Sequence, residues 1–196
     1  LDLAEDDVKL LPLAGGNILL LNWDISGNDI RSKVWNGSAW SGSWTNVASA
    51  QDDTSYKTAW GATVNRATGE VLLAFNDHVA DSSGKIRTAI YNGTWSMKTD
   101  IATSHHGYGV DIAIDESSGR IYVARLKRIA SEQQNVLFAS SNNNMQSLSS
   151  DTQVNVQTVD YEALSLNMMS TTERIYSVQW DEDTFRLHGS TVADLP

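Results

Sequence analysis

The 196-residue chain contains no cysteine, and its 14 lysines and arginines are outnumbered by 24 aspartates and glutamates. The lack of cysteine excludes disulfides, zinc–thiolate sites, iron–sulfur clusters and thiol catalysis. The formal net charge of −10 argues against a nucleic-acid partner, because phosphate binding draws most of its affinity from clustered lysine and arginine. We therefore predict that the chain does not bind nucleic acid.

Long apolar runs are also missing. The most apolar stretch, ILLLNWD, stops at Asp24, far short of the roughly 18 residues that a membrane helix requires, so no membrane insertion is expected. Helix signals are equally scarce: no long stretch has a 3.6-residue period with caps, and Val, Ile, Thr, Trp and Tyr fill the runs. The composition and patterning favour an all-β chain.

A repeat organises the sequence. The segments GATVNRATGEVLLAFND (residues 61–77) and DIAIDESSGRIYVARLK (residues 111–127) align, and each reads as two apolar runs joined by a glycine-containing turn. Two weaker copies occupy residues 9–24 and 164–181. The second run of each copy begins at Ile18, Val71, Ile121 or Ile175, with spacings of 53, 50 and 54 residues. Each copy is predicted to form a β-hairpin.

A third strand follows each hairpin, and in the first two copies it leads through Asn36-Gly37 or Asn92-Gly93 into another short strand. Asn-Gly is the dipeptide that two-residue type I′ turns prefer. Four antiparallel strands in about 50 residues, repeated in tandem, are the signature of β-propeller blades. We predict an all-β chain forming a β-propeller of about four such blades. A single sandwich is the alternative, but it does not explain the period.

The blades are predicted at roughly 5–50, 51–104, 105–159 and 160–196, in a single propeller domain or propeller fragment spanning residues 1–196. Residues 1–4 (LDLA) resemble the start of TDIATS at residues 99–104 and are interpreted as the tail of a fourth strand. We expect this tail to run beside Thr184 to Ser190, in its own chain or in a second copy. The other interpretations are an excerpt from a longer propeller and one half of a ring made by two chains.

The hairpins VWNGSAWS (residues 34–41) and IYNGTWS (residues 90–96) resemble degenerate forms of the Asp-box hairpin of sialidase-like propellers. The shared features are a polar turn, a glycine and a tryptophan, which in that family anchors the hairpin against the neighbouring blade. The Ser and Asp of the box are missing, and the third copy has Asn142-Asn143-Asn144-Met145 without a tryptophan. The resemblance implies the propeller fold, and function does not follow from fold alone.

One rim of the predicted propeller collects aromatic, acidic and imidazole side chains. Sugars are bound by flat apolar rings together with carboxylates and amides that accept hydroxyl donors. The candidate ligand-binding residues on this rim are Trp23, Asp24, Tyr56, Asp77, His78, His105, His106, Tyr108, Tyr161, Trp180 and Asp181.

Cofactors are not expected. His105 and His106 are adjacent and would face opposite sides of an extended strand, so the two cannot bind one ion. The cluster Asp181 to Asp183 is oxygen-rich, which leaves calcium as a minor alternative, but no calcium-loop motif is present. Arg31, Arg87 and Arg186 recur near the start of the third strand in the first, second and fourth copies and are expected to pair with acids. The tryptophans expected to pack between blades are Trp40, Trp44, Trp60 and Trp95.

Three functional hypotheses follow. The first is a secreted or cell-surface propeller acting as a binding or adhesion module, with a glycan or a protein surface as its ligand. The second is a sialidase-like glycoside hydrolase or lyase that uses Asp24, Asp77 or Asp181 with His105 or His106. The third is a structural domain of a larger extracellular assembly, with neighbouring domains or further copies as partners. The sequence contains no nucleophile elbow, phosphate loop or Ser-His-Asp spacing, which favours the first hypothesis over an enzyme.

Overall fold

The structure of the chain is a computed structural model that describes residues 7–24, 27, 29–48, 60–78, 84–103, 109–130, 133–142, 144–150, 152–153, 161–169, 174–181 and 186–192. It describes the backbone alone for residues 78, 84, 102–103, 126–130 and 133–136 and for those after 150. Within these ranges every regular element is a β-strand except a 3₁₀ turn at Ala14–Gly16. No helix in the described part of the chain is long and apolar enough to cross a membrane.

The strands form four antiparallel sheets, each from a contiguous stretch of sequence. Sheet 1 contains β1 (Asp7–Pro12), β2 (Ile18–Asp24), β3 (Asp29–Trp35) and β4 (Thr45–Ala48). Sheet 2 contains β5 (Trp60–Val64), β6 (Val71–His78), β7 (Gly84–Tyr91), β8 (Trp95–Met97) and β9 (Ile101–Thr103), with both β8 and β9 on β7. Sheet 3 contains β10 (Val110–Asp115), β11 (Arg120–Ala130), β12 (Gln133–Ser141) and β13 (Thr152–Gln153). Sheet 4 contains β14 (Tyr161–Met169), β15 (Arg174–Asp181) and β16 (Arg186–Val192).

The repeat predicted from the sequence is confirmed at the level of strands. The second strands of the four sheets begin within one residue of the predicted positions, at Ile18, Val71, Arg120 and Arg174. Each pairs with the strand before it and the strand after it, in the expected antiparallel meander. The chain is therefore all-β, with one meander per repeat.

In sheets 2 and 3 the turn between the first and second strands is built by an amide or acidic side chain. Asp115 Oδ1 accepts hydrogen bonds from the Ser117 N–H (2.9 Å) and the Ser117 hydroxyl (2.7 Å), and Oδ2 accepts one from the Ser118 hydroxyl (2.5 Å). Gly119 closes this turn with a positive φ of 72°, a conformation that suits glycine. Asn65 has the equivalent role in sheet 2, accepting from the Ala67 N–H at 3.0 Å.

The turns after the third strands differ from the type I′ turns predicted. A type I′ turn needs positive φ at both central residues, yet among the described non-glycine residues only Asn144 and Met145 have positive φ. Gly37 and Gly93 are left-handed, with φ of 93° and 78°. Asn36 instead accepts the Ser38 and Ala39 N–H groups on its side-chain oxygen, at 3.0 and 2.9 Å. The asparagine caps a wider loop, because its side chain replaces a backbone acceptor.

Sheet 2 is buried on both faces, and the alternation along β6 shows how. Val71, Leu73 and Phe75 pack into a core shared with sheet 1, whereas Leu72 and Ala74 pack into a second core shared with sheet 3. Successive strand residues point to opposite faces, so a strand between two sheets reads as a continuous apolar run rather than an alternating one. Each fully buried Leu or Phe stabilises the fold by about 1.5–3 kcal/mol relative to exposure.

The first strands of successive sheets lie beside one another: β10 contacts both β5 and β14, and β1 contacts β5. The approach is very close at Gly61. A Cβ atom built on this residue would lie 2.6 Å from Asp111 Cα and 2.9 Å from the Ile112 nitrogen, both backbone atoms. Glycine is required here because the two strands leave no room for a side chain.

The first strand of sheet 1 is open on the face turned away from sheet 2. Val8 is 41% and Leu10 63% exposed. By register, these positions correspond to Trp60 and Ala62 in sheet 2, which sheet 1 covers. The segment expected to close the array, residues 1–4, lies outside the described residues, so closure and the number of blades in a complete ring stay predictions.

Gly61→Ala is expected to lower the free energy of unfolding by about 1–3 kcal/mol, the usual cost of overpacking. The added methyl group collides with the backbone of β10, which cannot rotate away as a side chain can. Urea unfolding monitored by tryptophan fluorescence measures the change. Gly42→Ala is the matched control, because a Cβ there meets no atom within 4 Å. Equal stability of the two variants would contradict the close approach of β5 and β10.

Asp115→Asn is expected to make the fold less sensitive to acid. Burial works against the ionised Asp115 carboxylate, but the hydrogen bonds from Ser118 and Ser117 outweigh it, so the pKa of Asp115 is lowered. A depressed folded-state pKa adds stability that is present above the unfolded value, about 3.9, and is lost as the pH falls through the folded value. Unfolding midpoints compared at pH 6 and pH 3 should fall less for the asparagine variant. An identical fall would contradict the prediction.

Candidate functional site

Two predicted site residues, Asp24 and Asp77, stand at equivalent places at the ends of β2 and β6. Arg31 Nη1 lies 2.6 Å from Asp24 Oδ2, and Arg31 Nε donates to Asn22 Oδ1 at 2.6 Å. The same guanidinium lies over the ring of Trp44, 4.6 Å from its centroid. Asp24 also accepts the Gly27 N–H at 3.0 Å. The Asp24 carboxylate is thus committed to an arginine of its own sheet.

Sheet 2 repeats this arrangement. Arg87 Nη1 donates to Asp77 Oδ2 at 3.2 Å, and Arg87 Nε lies 3.8 Å from Asp100 Oδ1. Both arginines lie two register positions before their aspartate, opposite Asn22 in sheet 1 and opposite Phe75 in sheet 2. The expectation that these arginines pair with acids is confirmed for Arg31 and Arg87. Arg186 is not equivalent to them, because its register partner is Asp181 itself.

Trp23, a third predicted ligand contact, is a core residue with 4% exposure. Its indole meets Trp60 edge to face, with ring centroids 6.1 Å apart, and Trp60 Nε1 donates to Asp7 Oδ2 at 2.6 Å. The sequence predicted that the Trp23 ring contacts a sugar, whereas in the structure sheet 2 covers this ring. The prediction did not take into account that a tryptophan near the end of β2 fills the space between sheets 1 and 2.

The remaining predicted site residues cannot be compared at the level of side chains. The backbones of His78, Tyr161, Trp180 and Asp181 lie at strand ends, in β6, β14 and β15. Tyr56, His105, His106 and Tyr108 lie outside the described residues. Their participation in a ligand site stays a prediction. In the described part of the chain no three His, Asp or Glu residues come together in a group that could hold a metal ion.

The hairpin tryptophans divide into two kinds. Trp95 Nε1 donates to Ser32 Oγ of sheet 1 at 3.0 Å, which fixes the second hairpin against the preceding sheet. Together with the buried Trp60, it confirms the predicted packing between sheets. Trp40 and Trp44 differ from that prediction, because they are half-buried on their own sheet: Trp40 stacks on Trp35 at 5.5 Å, and Trp44 lies beneath Arg31 and Lys33.

A cavity of about 230 Å³ opens beside the Trp95–Ser32 hydrogen bond, between the hairpins of sheets 1 and 2. Tyr91 and Trp95 form an aromatic wall, with ring centroids 5.3 Å apart and planes inclined at 52°. The other side is polar and belongs to sheet 1. The lining residues are Ser32, Lys33, Val34, Ser41, Thr45, Tyr91, Gly93, Thr94 and Trp95.

Four serine and threonine residues line this cavity, and their hydroxyl groups can form hydrogen bonds with a ligand. Ser32 Oγ is positioned by Trp95, and Ser41 Oγ accepts the Val34 N–H at 3.2 Å, which leaves the hydroxyl proton of each serine available to donate. Thr45 and Thr94 are exposed at its mouth. Neutral hydroxyls facing an aromatic wall suit a small polyol ring better than an ion or a purely apolar molecule.

Sequence reasoning missed this cavity because its two walls come from different repeats. Ser32 and Thr45 carry no motif of their own, and only the contact between the two sheets brings them near Tyr91 and Trp95. The signal that was present is the hairpin tryptophan, which correctly indicated an anchor against the neighbouring blade.

The third hairpin replaces that anchor with Met145. This side chain is fully buried in the core between sheets 2 and 3, and its backbone is left-handed, with φ of 59°. The Met145 carbonyl accepts the Thr99 N–H of sheet 2 at 3.2 Å, and the Met145 N–H donates to Ser141 Oγ at 3.0 Å. A methionine side chain is flexible and can fill an irregular gap that a planar ring would not fit. The junction between sheets 2 and 3 therefore has an anchor but no aromatic wall at Met145.

Comparison with known proteins gives likeness of fold. No family model matches the chain, and no curated protein matches it. A Dyadobacter fermentans protein of unknown function superposes with a TM-score of 0.61 at 13% identity, covering 88% of this chain and 56% of that one. A neuraminidase-like protein from A/bat/Guatemala gives 0.58 at 8%, covering 93% and 53%.

A third similar structure is an exo-beta-1,3-galactanase from Phanerochaete chrysosporium with galactose, with a TM-score of 0.53 at 15% identity, covering 89% of this chain and 43% of that one. The chain thus spans slightly more than half the length of the first two solved proteins and less than half the length of the third. Identities this low show the fold alone: the architecture is β-propeller-like.

Trp95→Phe is expected to destabilise the fold by about 1–3 kcal/mol, because it removes the donor to a buried serine hydroxyl. Trp40→Phe is the matched control, since Trp40 belongs to the equivalent hairpin and stacks within its own sheet. Chemical unfolding of both variants measures the difference. A loss at Trp40 as large as that at Trp95 would contradict the anchoring role of the indole N–H.

Proposed function

We propose that this chain is a sugar-binding module of a secreted or cell-surface propeller protein. The observation that carries the proposal is the cavity between sheets 1 and 2, which combines an aromatic wall with several neutral hydroxyls. The extracellular location follows from the proposed ligand, since glycans are displayed mainly outside the cell.

The two walls match the two faces of a sugar. Pyranose C–H groups are slightly positive and pack against the negative face of an aromatic ring. The hydroxyls at the ring edge exchange hydrogen bonds with groups such as the Ser32, Ser41 and Thr94 side chains. Trp95 is well suited to the first task, because its hydrogen bond to Ser32 holds the indole in one orientation. Holding a ring in place before binding reduces the entropy lost on association.

The solved structures support the proposal at the level of fold. Two proteins with similar folds are described as neuraminidase-like and as an exo-beta-1,3-galactanase with galactose. A propeller-like scaffold is therefore compatible with carbohydrate ligands. The argument for this chain rests on its own cavity, because fold alone does not determine function.

The glycoside hydrolase hypothesis has less support. Such enzymes use two carboxylates that flank a cleft. Asp24 and Asp77, the two described candidates, are each paired with an arginine of their own sheet, and neither lines the cavity. Binding without hydrolysis requires only the groups that the cavity contains.

Thr94→Trp is expected to abolish glycan binding, because the larger side chain fills the cavity from its exposed edge without disturbing the core. Ser38→Trp is the matched control: Ser38 has the same place in the first hairpin, is exposed, and does not line the cavity. A glycan array followed by calorimetric titration of the best ligand measures binding, and circular dichroism verifies folding.

Three outcomes decide the proposal. Binding by the wild type and by Ser38→Trp, with none by Thr94→Trp, supports it. If a folded Thr94→Trp variant still binds the glycan, the cavity is not the binding site. A wild type that binds no glycan on the array would overturn the proposed function.

A further inference from the structure

We infer that the cavity between sheets 1 and 2 selects an uncharged sugar residue and discriminates against acidic sugars such as sialic or uronic acids. The inference rests on the proposed function and adds the class of ligand. It follows from the charges of the groups that line the cavity and from the ion pairs of the arginines in β3 and β7.

Among the described residues, Lys33 is the only charged one that lines the cavity, and its ammonium group is already engaged. Lys33 Nζ donates to the Gly42 carbonyl at 3.1 Å and lies 5.0 Å from the centroid of the Trp44 ring. Lys33 is opposite Leu20 in β2, so it shares the face of sheet 1 that turns away from sheet 2. Ser32 and Val34, its neighbours in β3, face the cavity side instead. The ammonium group of Lys33 is thus directed to the face of sheet 1 that lies away from the cavity.

Arg31 of β3 and Arg87 of β7 provide no alternative cation. Arg31 is bound by Asp24 and Asn22, and Arg87 by Asp77 with Asp100 nearby. Neither arginine lines the cavity. Recognition of a carboxylate takes a charge-assisted donor, most effectively a bidentate guanidinium. A carboxylate in this cavity would lose water and gain only neutral hydroxyl donors, which is unfavourable for a charged group.

The charge of the whole chain acts in the same direction. The formal net charge is −10, so an anionic ligand approaches against a repulsive field whereas a neutral ligand does not.

The size of the cavity limits the ligand further. About 230 Å³ is below the roughly 300–1,000 Å³ of pockets that enclose drug-sized ligands. One pyranose residue is therefore the unit recognised, with the rest of a glycan extending into solvent past the exposed Thr94 and Thr45.

The test uses pairs of sugars that differ only in charge. The methyl glycosides of glucose and galactose are titrated into the wild-type protein beside those of glucuronic and galacturonic acid, with N-acetylneuraminic acid as a further anion. Ligands found on the array are sorted by whether their terminal residue is neutral or acidic. We expect neutral terminal residues to dominate, the better neutral hexoside to bind at least tenfold more tightly than its uronic acid, and its affinity to change less than twofold between 50 and 500 mM NaCl.

A designed cation provides the second measurement. Thr94→Lys introduces an ammonium at the mouth of the cavity and is expected to raise the affinity for the uronic acid relative to the neutral sugar by threefold or more at 50 mM NaCl. The gain should disappear at 500 mM NaCl, where salt screens exposed charges. Ser38→Lys adds the same charge to the first hairpin, outside the cavity, and is expected to leave the ratio unchanged.

The outcomes separate the two proposals. If the wild type binds no sugar, neutral or acidic, the proposed function fails. If it binds acidic terminal residues as tightly as neutral ones, or more tightly, the sugar-binding function stands and the inference of neutral selectivity is overturned. An equal effect of Thr94→Lys and Ser38→Lys on the ratio would likewise count against the cavity as the place where charge is discriminated.

Discussion

Face-to-face packing of one sheet on the next is the interaction on which the rest of this structure depends. In sheets 1 to 3, whose side chains the structure describes, the cores are shared between neighbours: the middle strand of sheet 2 sends Leu73 and Phe75 into one shared core and Leu72 and Ala74 into another. Removing a neighbouring sheet would expose a row of large apolar side chains. The face of sheet 1 that is turned away from sheet 2 is an example, since Val8 and Leu10 are exposed there. Stability is therefore a property of adjacent pairs of sheets, as expected for tandem repeats.

The joints between sheets use different chemistry at the same place. Trp95 reaches back from the second hairpin and hydrogen-bonds to Ser32, and this geometry leaves a walled space beside the indole. Met145 reaches back from the third hairpin and fills its space completely. A rigid planar ring leaves gaps where a flexible thioether does not. The binding site proposed for this chain is thus a by-product of the way in which two repeats are held together.

Sequence predicted the strands well because their information is local. The period near 50 residues and the apolar alternation located Ile18 and Val71 at the starts of their strands, and both are confirmed. The site was harder to predict, because the ring of Trp23 is hidden by a residue of the next repeat, Trp60, 37 positions along the chain. Likewise, Ser32 gains its role only from Trp95. Periodicity indicates which face a residue occupies, but not which residue of another sheet will meet it.

The turns show a second limit of local reasoning. Asn-Gly was interpreted through its preference for left-handed backbone, whereas Asn36 contributes its side-chain oxygen and leaves the left-handed position to Gly37. Both solutions use the same dipeptide, and the choice between them depends on loop length. In the first hairpin the aromatic pair Trp35–Trp40 packs across the ends of the loop, and that spacing suits the side-chain cap of Asn36.

The close approach at Gly61 has a consequence for how such an array can grow. By register, the position of Gly61 in the second repeat is held by Lys9 in the first and by Asp111 in the third. Only the glycine fits against the β10 backbone. A copy of the first or third repeat inserted in place of the second would therefore bring a side chain into a space that admits none. Although the repeats share one pattern, this contact prevents the first or the third repeat from replacing the second.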